Sequence, residues 1–308
     1  MWSDNFTSKT REWFETVAKI KPALGDVERA LQTVARDNGF HPVREYFEPL
    51  RGDGTPRLDT WLIDYFHAAD TPYVRAIGPR WLISSVARIY EPGCQADHVL
   101  VLEGPQGKQK STALRTLAVK DEWFTDRLSN LSSKDAIQEV AGVLIIELAE
   151  LDILMRTKPA AYKAFLTRRH DRFRPVYGRH MVLWKRQCVF AGTVNPPANG
   201  RYLNDPTGAR RFWPVTCRGR IDIDALRRDR DQLWAEAVVR YRRGDPWWLE
   251  TEALERLAEA EQQARIAVDP WLPSIRDWLG DRTDVAISEV LEHGLGLPPR
   301  PPLRQRVA

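Results

Sequence analysis

The stretch His98-Val-Leu-Val-Leu102-Glu-Gly104-Pro-Gln-Gly107-Lys-Gln109-Lys110-Ser111-Thr112 decides how this chain is read. A short apolar run ends at a glycine-bearing loop, and residues 111–118 then take up helical spacing. Strand, loop and helix in that order surround a phosphate with backbone N–H groups and a helix N-terminus, while a lysine reaches in. A hydroxyl beside the lysine completes the shell of Mg²⁺. The pattern for such a loop is GxxxxGK[ST]. Gly104, Lys110 and Ser111 keep its register, and Gln109 stands where the second glycine belongs. Side chains crowd a backbone wrapped round phosphate, so Gln109 leaves nucleotide binding expected and its strength in question. The plain alternative is a Gly/Lys-rich surface turn.

Working outward, Val143-Leu-Ile-Ile146 and Cys188-Val-Phe-Ala191 are two more short apolar runs separated by helical segments. Buried strands alternating with helices predict an α/β core with a mainly parallel sheet. Glu147, following the first run, would bring a carboxylate to the sheet edge to hold Mg²⁺ or its water, with Glu150 as a base for the attacking water; Asp152 follows. A strand running into acid-capped helix is the alternative. Asn195 ends the second run and could orient the lytic water, or merely open the loop before Pro196-Pro197. Arg210 and Arg211 precede an aromatic strand, 212–215, and could supply a phosphate-sensing finger to a neighbouring subunit. A surface ion-pair role is the alternative.

Residues 1–95 read as a helical N-terminal region packing on the core, with helices expected over 26–35 and 71–90 and a turn at Gly52-Asp-Gly-Thr-Pro56. The core spans 96–220. A C-terminal helical region, 221–283, holds helices at 223–243 and 251–266, the second charged on most faces and expected to pack weakly. Residues 284–308 begin with helical spacing at 284–293 and end in a Pro/Arg-rich tail expected to be disordered.

The 308 residues carry a net charge of +4, with 43% apolar and 29% charged residues, ordinary for a globular protein. Cys94, Cys188 and Cys217 are too scattered for a disulfide framework or a CxxC metal site. Without a secretory signal or an apolar run long enough to span a bilayer, a cytoplasmic protein with no membrane partner is expected. Charge is concentrated between Lys163 and Arg186, where Arg168, Arg169, Arg172, Arg174, Arg179 and Lys185 also lie and Asp171 is the only acid. Phe173, Tyr177 and Trp184 are interspersed, and Pro175-Val-Tyr-Gly178 could turn a hairpin. Such a segment suits a nucleic-acid backbone with bases stacking on the aromatics; a solvated basic face is the alternative.

Phe40-His-Pro-Val-Arg-Glu-Tyr46, Trp61-Leu-Ile-Asp-Tyr65, Glu103-Gly-Pro-Gln-Gly107, Glu147-Leu-Ala-Glu-Leu151, Lys163-Ala-Phe-Leu166, Asp171-Arg-Phe-Arg-Pro-Val-Tyr-Gly-Arg179, Gly192-Thr-Val-Asn195 and Arg210-Arg-Phe-Trp-Pro-Val215 together resemble the virulence-associated E (VapE) family. The resemblance covers roughly residues 35–245. It implies a phage or mobile-element ATPase similar to superfamily 3 helicases: a P-loop AAA+ parallel-sheet core with helical N- and C-terminal extensions. ATP and Mg²⁺ would be its cofactors, and single-stranded DNA its substrate, in a homo-oligomeric ring that is usually hexameric. By motif, Gly104, Pro105, Gln106, Gly107, Lys108, Gln109, Lys110, Ser111 and Thr112 would bind phosphate. Ser111 and Glu147 would serve the metal, Glu150 the water, and Asn195 would be sensor 1. Arg210 or Arg211 would be the finger; Arg168, Arg169, Arg172, Arg174, Tyr177 and Arg179 would face DNA. Longer relatives carry a primase-like N-terminal region and a winged-helix-like C-terminal region. The second begins here at Asp284 and breaks off, so origin recognition or priming would come from a separate protein. A rival reading is an ATP-dependent oligomeric switch, regulatory or defensive, that binds DNA without unwinding it. A small-molecule kinase is disfavoured by the basic segment and the paired arginines.

Overall fold

Val99-Leu-Val-Leu-Glu103 alternates no polar residue with its apolar ones, and in the computed structural model it is a strand, β1, buried along its whole length. The structure describes residues 4–128, 134–151, 159–174, 181–205, 207–267 and 271–297. The other strands are β2 (Phe124–Thr125), β3 (Ile145–Leu148), β4 (His170–Phe173), β5 (Val182–Lys185), β6 (Val189–Val194) and β7 (Phe212–Thr216). Five of them form one sheet in the order β2-β3-β6-β1-β7, and each neighbouring pair is parallel. Burial on both faces explains why these strands read as apolar runs rather than alternations.

Register fixes what meets at the sheet's C-terminal edge. Glu103 lies opposite Val194 on one side and Thr216 on the other, and Glu147 lies opposite Ala191. The residues that follow, Gly104, Asn195 and Cys217, therefore crowd into one crevice, the usual ligand position in an open parallel sheet. β3 and β6 differ from their expected limits, since β3 starts at Ile145 and β6 runs on to Val194. Glu147 thus sits inside the hydrogen-bonded ladder instead of following it.

Residues Met1–Leu50 form one compact unit and Arg51–Ala308 another. The first holds helices Asp4–Thr16, Leu24–Asp37 and Pro42–Phe47. The last of these starts with Pro42 in the first turn and the His41 ring accepting from the Arg44 N–H. In the second unit, Thr71 caps the Pro72–Tyr90 helix through the Val74 N–H. That helix is buried on nearly every face, and Trp81 Nε1 donates to Phe190 O of β6 at 2.9 Å. The Lys110–Leu117 helix leaves the loop after β1. Trp234 of the Ile223–Arg243 helix donates to its last carbonyl, Leu117 O, at 3.0 Å.

Two expectations at the C-terminus change. The charged Glu252–Arg265 helix does not pack weakly: it lies against β7, buries Ala258 and Gln262, and donates from Gln262 Nε2 to Phe212 O at 3.0 Å. Helical structure near residue 284 starts only at Ile287, because the Glu289 carboxylate caps the Ala286 N–H; one turn, Ile287–Glu289, leads into a wider one, Val290–Gly294. The Pro/Arg-rich residues beyond 297 lie outside the described residues, as does Asp152. Cys94, Cys188 and Cys217 are free thiols, all buried. Among the described residues no helix is long and apolar enough to cross a membrane.

Candidate nucleotide site

The loop after β1 turns sharply. Gly104 adopts φ +151, and a side chain there would press on Cys217 O at 3.1 Å, so this position admits only glycine. Gln109, the residue at the second-glycine position, has φ 67 and ψ 28, the left-handed conformation that glycine adopts freely. A non-glycine residue held there costs about 1–3 kcal/mol. Gln109→Gly should therefore raise thermal stability by about 1 kcal/mol. A fall in melting temperature would show that the Gln109 side chain contributes more than its backbone costs.

Lys110 opens the helix and is buried, and burial lowers its pKa below the ordinary lysine value. Its ammonium donates to Gly104 O, to Pro105 O at 3.1 Å and to Asn195 Oδ1 at 2.9 Å. Two residues picked out separately in the sequence are thus in direct contact. Beside them Cys217, its thiol pushed up to about 12 by burial, stays protonated.

Glu147 is 1% exposed. Its Oε1 accepts from Ser111 Oγ and from Thr193 Oγ1, both at 2.6 Å, while Oε2 is buried with no hydrogen-bond partner. A buried carboxylate oxygen left unpaired is costly. One oxygen oriented by two hydroxyls and the other unpartnered, beside the loop serine, could serve a divalent cation that takes its remaining ligands from phosphate and water. Among the described residues no group of three or more His, Cys, Asp or Glu side chains could hold a metal alone. Thr193 was not singled out in the sequence; its signal is a hydroxyl in an otherwise apolar strand, two residues before Asn195.

These groups line one open cleft of about 630 Å³ that also takes in Gln106, Thr112 and Glu150. Glu150 stands at its lip, exposed, on left-handed backbone of φ 50.

The paired arginines separate. Both precede β7 and lie at the sheet's N-terminal edge, opposite the cleft. Five strand residues put about 16 Å between those edges. Arg211 turns inward, 12% exposed and 4.0 Å from Asp97. Arg210 is exposed, has no hydrogen-bond or ion-pair partner among the described residues, and lines a groove of about 380 Å³ with His98, Trp248 and Glu259.

The basic segment is an antiparallel hairpin of β4 and β5, with Arg172 opposite Leu183 and Asp171 opposite Trp184. The residues joining the two strands, Tyr177 and Arg179 among them, lie outside the described residues. Not all of its charge faces outward. Arg186 and Asp171 are fully buried and paired through two bonds, Nε to Oδ2 at 2.6 Å and Nη2 to Oδ1 at 3.0 Å. The Arg186 guanidinium also stacks 4.3 Å over Phe165. Asp171 is therefore an internal anchor and not part of a DNA-facing surface. Arg168 is 3.3 Å from Asp171, and Arg169 donates to Gly93 O at 2.7 Å. Arg172, Arg174, Leu183 and Lys185 are exposed. Asp171→Asn strands a buried cation, a loss of about 3–5 kcal/mol. Hydrogen exchange over 170–186 should accelerate accordingly, and unchanged protection would contradict the anchoring role.

Residues 47–266 match the model of the virulence-associated protein E-like domain. The chain belongs to the VapE-like family. No match is found among curated protein sequences. Among solved structures, the apo NrS-1 C-terminal region (305–718) is similar with a TM-score of 0.50 at 14% identity, over 81% of this chain and 62% of that one. The A form apo structure of the same region gives 0.47 at 13% identity, over 82% and 70%. The first likeness agrees with the α/β core and parallel sheet of the VapE-like domain; this chain spans less than two thirds of that structure's length.

Proposed function

We propose that this chain is a P-loop ATPase of a phage or mobile element that hydrolyses Mg·ATP between the subunits of a ring and uses it to unwind or move on DNA. The observation that carries this reading is the convergence of Lys110, Ser111, Glu147, Thr193 and Asn195 on one cleft, with Glu147 Oε2 buried and unpartnered. Membership of the VapE-like family supports it.

In this reading the loop N–H groups and the helix N-terminus seat the β- and γ-phosphates. Lys110 exchanges its loop carbonyls for phosphate oxygens. Ser111 and Glu147 would hold Mg²⁺, which neutralises charge developing on the transferred phosphoryl group. Asn195 orients the attacking water, and Glu150 at the cleft lip accepts its proton. Arg210, too far from its own cleft, completes the site of an adjoining subunit. Arg172, Arg174 and Lys185 on the hairpin meet DNA.

The test is Mg-dependent ATP turnover with and without single-stranded DNA. Turnover stimulated by DNA and abolished in Lys110→Ala is the expected result; wild-type-like turnover in that variant would overturn the assignment. A second reading, an ATP-dependent oligomeric switch, is favoured by one feature, the left-handed Gln109. Persistent ATP-dependent oligomers that displace no DNA strand would select it.

A further inference from the structure

The residue that leads into the phosphate loop is itself tied down. Glu103, the last residue of β1, is 4% exposed, and both of its carboxylate oxygens accept two hydrogen bonds. Oε1 accepts from Tyr202 Oη at 2.7 Å and from Arg265 Nε; Oε2 accepts from Thr216 Oγ1 at 2.7 Å and from Arg265 Nη2 at 2.8 Å. Four segments meet at this one carboxylate: the end of β1, the end of β7, the loop that follows Asn195, and the end of the Glu252–Arg265 helix.

The helix end is fixed to the loop by its backbone as well. Tyr202 and Leu203 N–H both donate to Arg265 O at 2.9 Å, and Ala267 N–H donates to Leu203 O at 2.8 Å. On the other side, Cys217 N–H donates to Glu103 O at 2.8 Å and Gly104 N–H to Val194 O at 3.2 Å. Glu103 is bonded directly to Gly104, whose carbonyl holds the Lys110 ammonium. Any displacement of Arg265 is thus transmitted through one side chain to the first turn of the loop.

Apolar packing would hold a helix on a sheet at lower desolvation cost than a buried ion pair. What a two-pronged guanidinium–carboxylate contact adds is a fixed plane and register. The same helix, 14 residues or about 21 Å long, carries Glu255, Glu259 and Gln263 along the groove that holds Arg210 at the opposite edge of the sheet.

We propose that Arg265 is a positioning residue for the nucleotide site: clamped on Glu103, it sets the conformation of the phosphate loop and links that loop to the groove around Arg210. The proposal rests on the nucleotide-binding reading above, and its test has one readout that does not need nucleotide. Arg265→Lys keeps the charge and loses the fork; Tyr202→Phe removes a single hydroxyl and serves where the first variant folds poorly. Hydrogen exchange is followed over 103–112 and over the distant 223–243 helix, and fluorescent-ATP affinity is titrated in parallel. The expected result is at least tenfold faster exchange in 103–112 alone, with at least tenfold weaker ATP binding. Leu257→Ala, on the half-exposed face of the same helix, should change neither. Exchange in 103–112 equal to wild type, or raised equally everywhere, overturns the proposal and leaves a merely structural ion pair. A wild-type chain that binds no ATP overturns the nucleotide reading instead, and the exchange result still decides the role of Arg265.

Discussion

Arg210→Ala and Lys110→Ala are each expected to be nearly inactive as ATPases, and mixing the two proteins should restore turnover. The expectation follows from where the sheet puts each side chain. Lys110 lies at the C-terminal edge, in the cleft; Arg210 lies before β7 at the other edge, exposed and unpaired among the described residues. No rotamer of Arg210 spans the length of β7 back to its own cleft, so under the proposed function it would act on the site of another copy. Removing a transition-state arginine costs about 10³-fold or more in turnover. In a 1:1 mixture joined head to tail, roughly a quarter of the interfaces pair an intact Lys110 with an intact Arg210 across them. Turnover should recover to about that share. Arg211→Ala is the control: it removes the neighbour of Asp97 and should lower stability before activity. No recovery on mixing, together with a fully active Arg210→Ala protein, would remove the shared site.

How much of this was legible beforehand depends on whether the signal was local. The order of strand, loop and helix around Gly104 was legible because each piece is set by neighbouring residues: a run without polar positions, a glycine-bearing loop in the register of the phosphate-binding motif, and helical spacing after Lys110. That Gln109 stands where glycine belongs was legible for the same reason, since the motif's register names the position, whereas its left-handed backbone was not. Asn195 was legible as a polar strand end, and its contact with Lys110 follows from the parallel pairing of β1 with β6.

What stayed hidden were partnerships between distant residues. Arg265 and Glu103 are 162 residues apart, and nothing near either one predicts the other. The Glu252–Arg265 helix looked loosely packed because its charges read as solvated, although one of them is spent on a buried carboxylate. Arg186 and Asp171 misled in the opposite sense: counted as part of a basic surface with a lone acid, they neutralise each other inside the hairpin base. Arg210 and Arg211 are adjacent in the chain, and only the short turn Ala209–Arg211 decides which of them faces outward.

Glu147→Gln should separate binding from hydrolysis. The amide keeps the size of the carboxylate, and its oxygen can still accept from Ser111 and Thr193. The change falls on Oε2, the buried oxygen without a partner, where a charged acceptor becomes an uncharged donor. ATP affinity should stay within a few-fold of wild type, because the loop amides and Lys110 are untouched. Turnover should drop by about 10²–10³, the usual cost of deleting one electrostatic contact to developing charge. The dependence of the residual rate on Mg²⁺ should flatten as well. Glu147→Ala is the informative contrast. It leaves the buried Thr193 hydroxyl without its acceptor, at about 1–3 kcal/mol, while the exposed Ser111 hydroxyl can turn to water, so it should weaken the fold and the activity together. If Glu147→Gln turned over normally while Glu147→Ala unfolded, Glu147 would be a scaffold for Ser111 and Thr193, and the metal would have to be sought at Glu150.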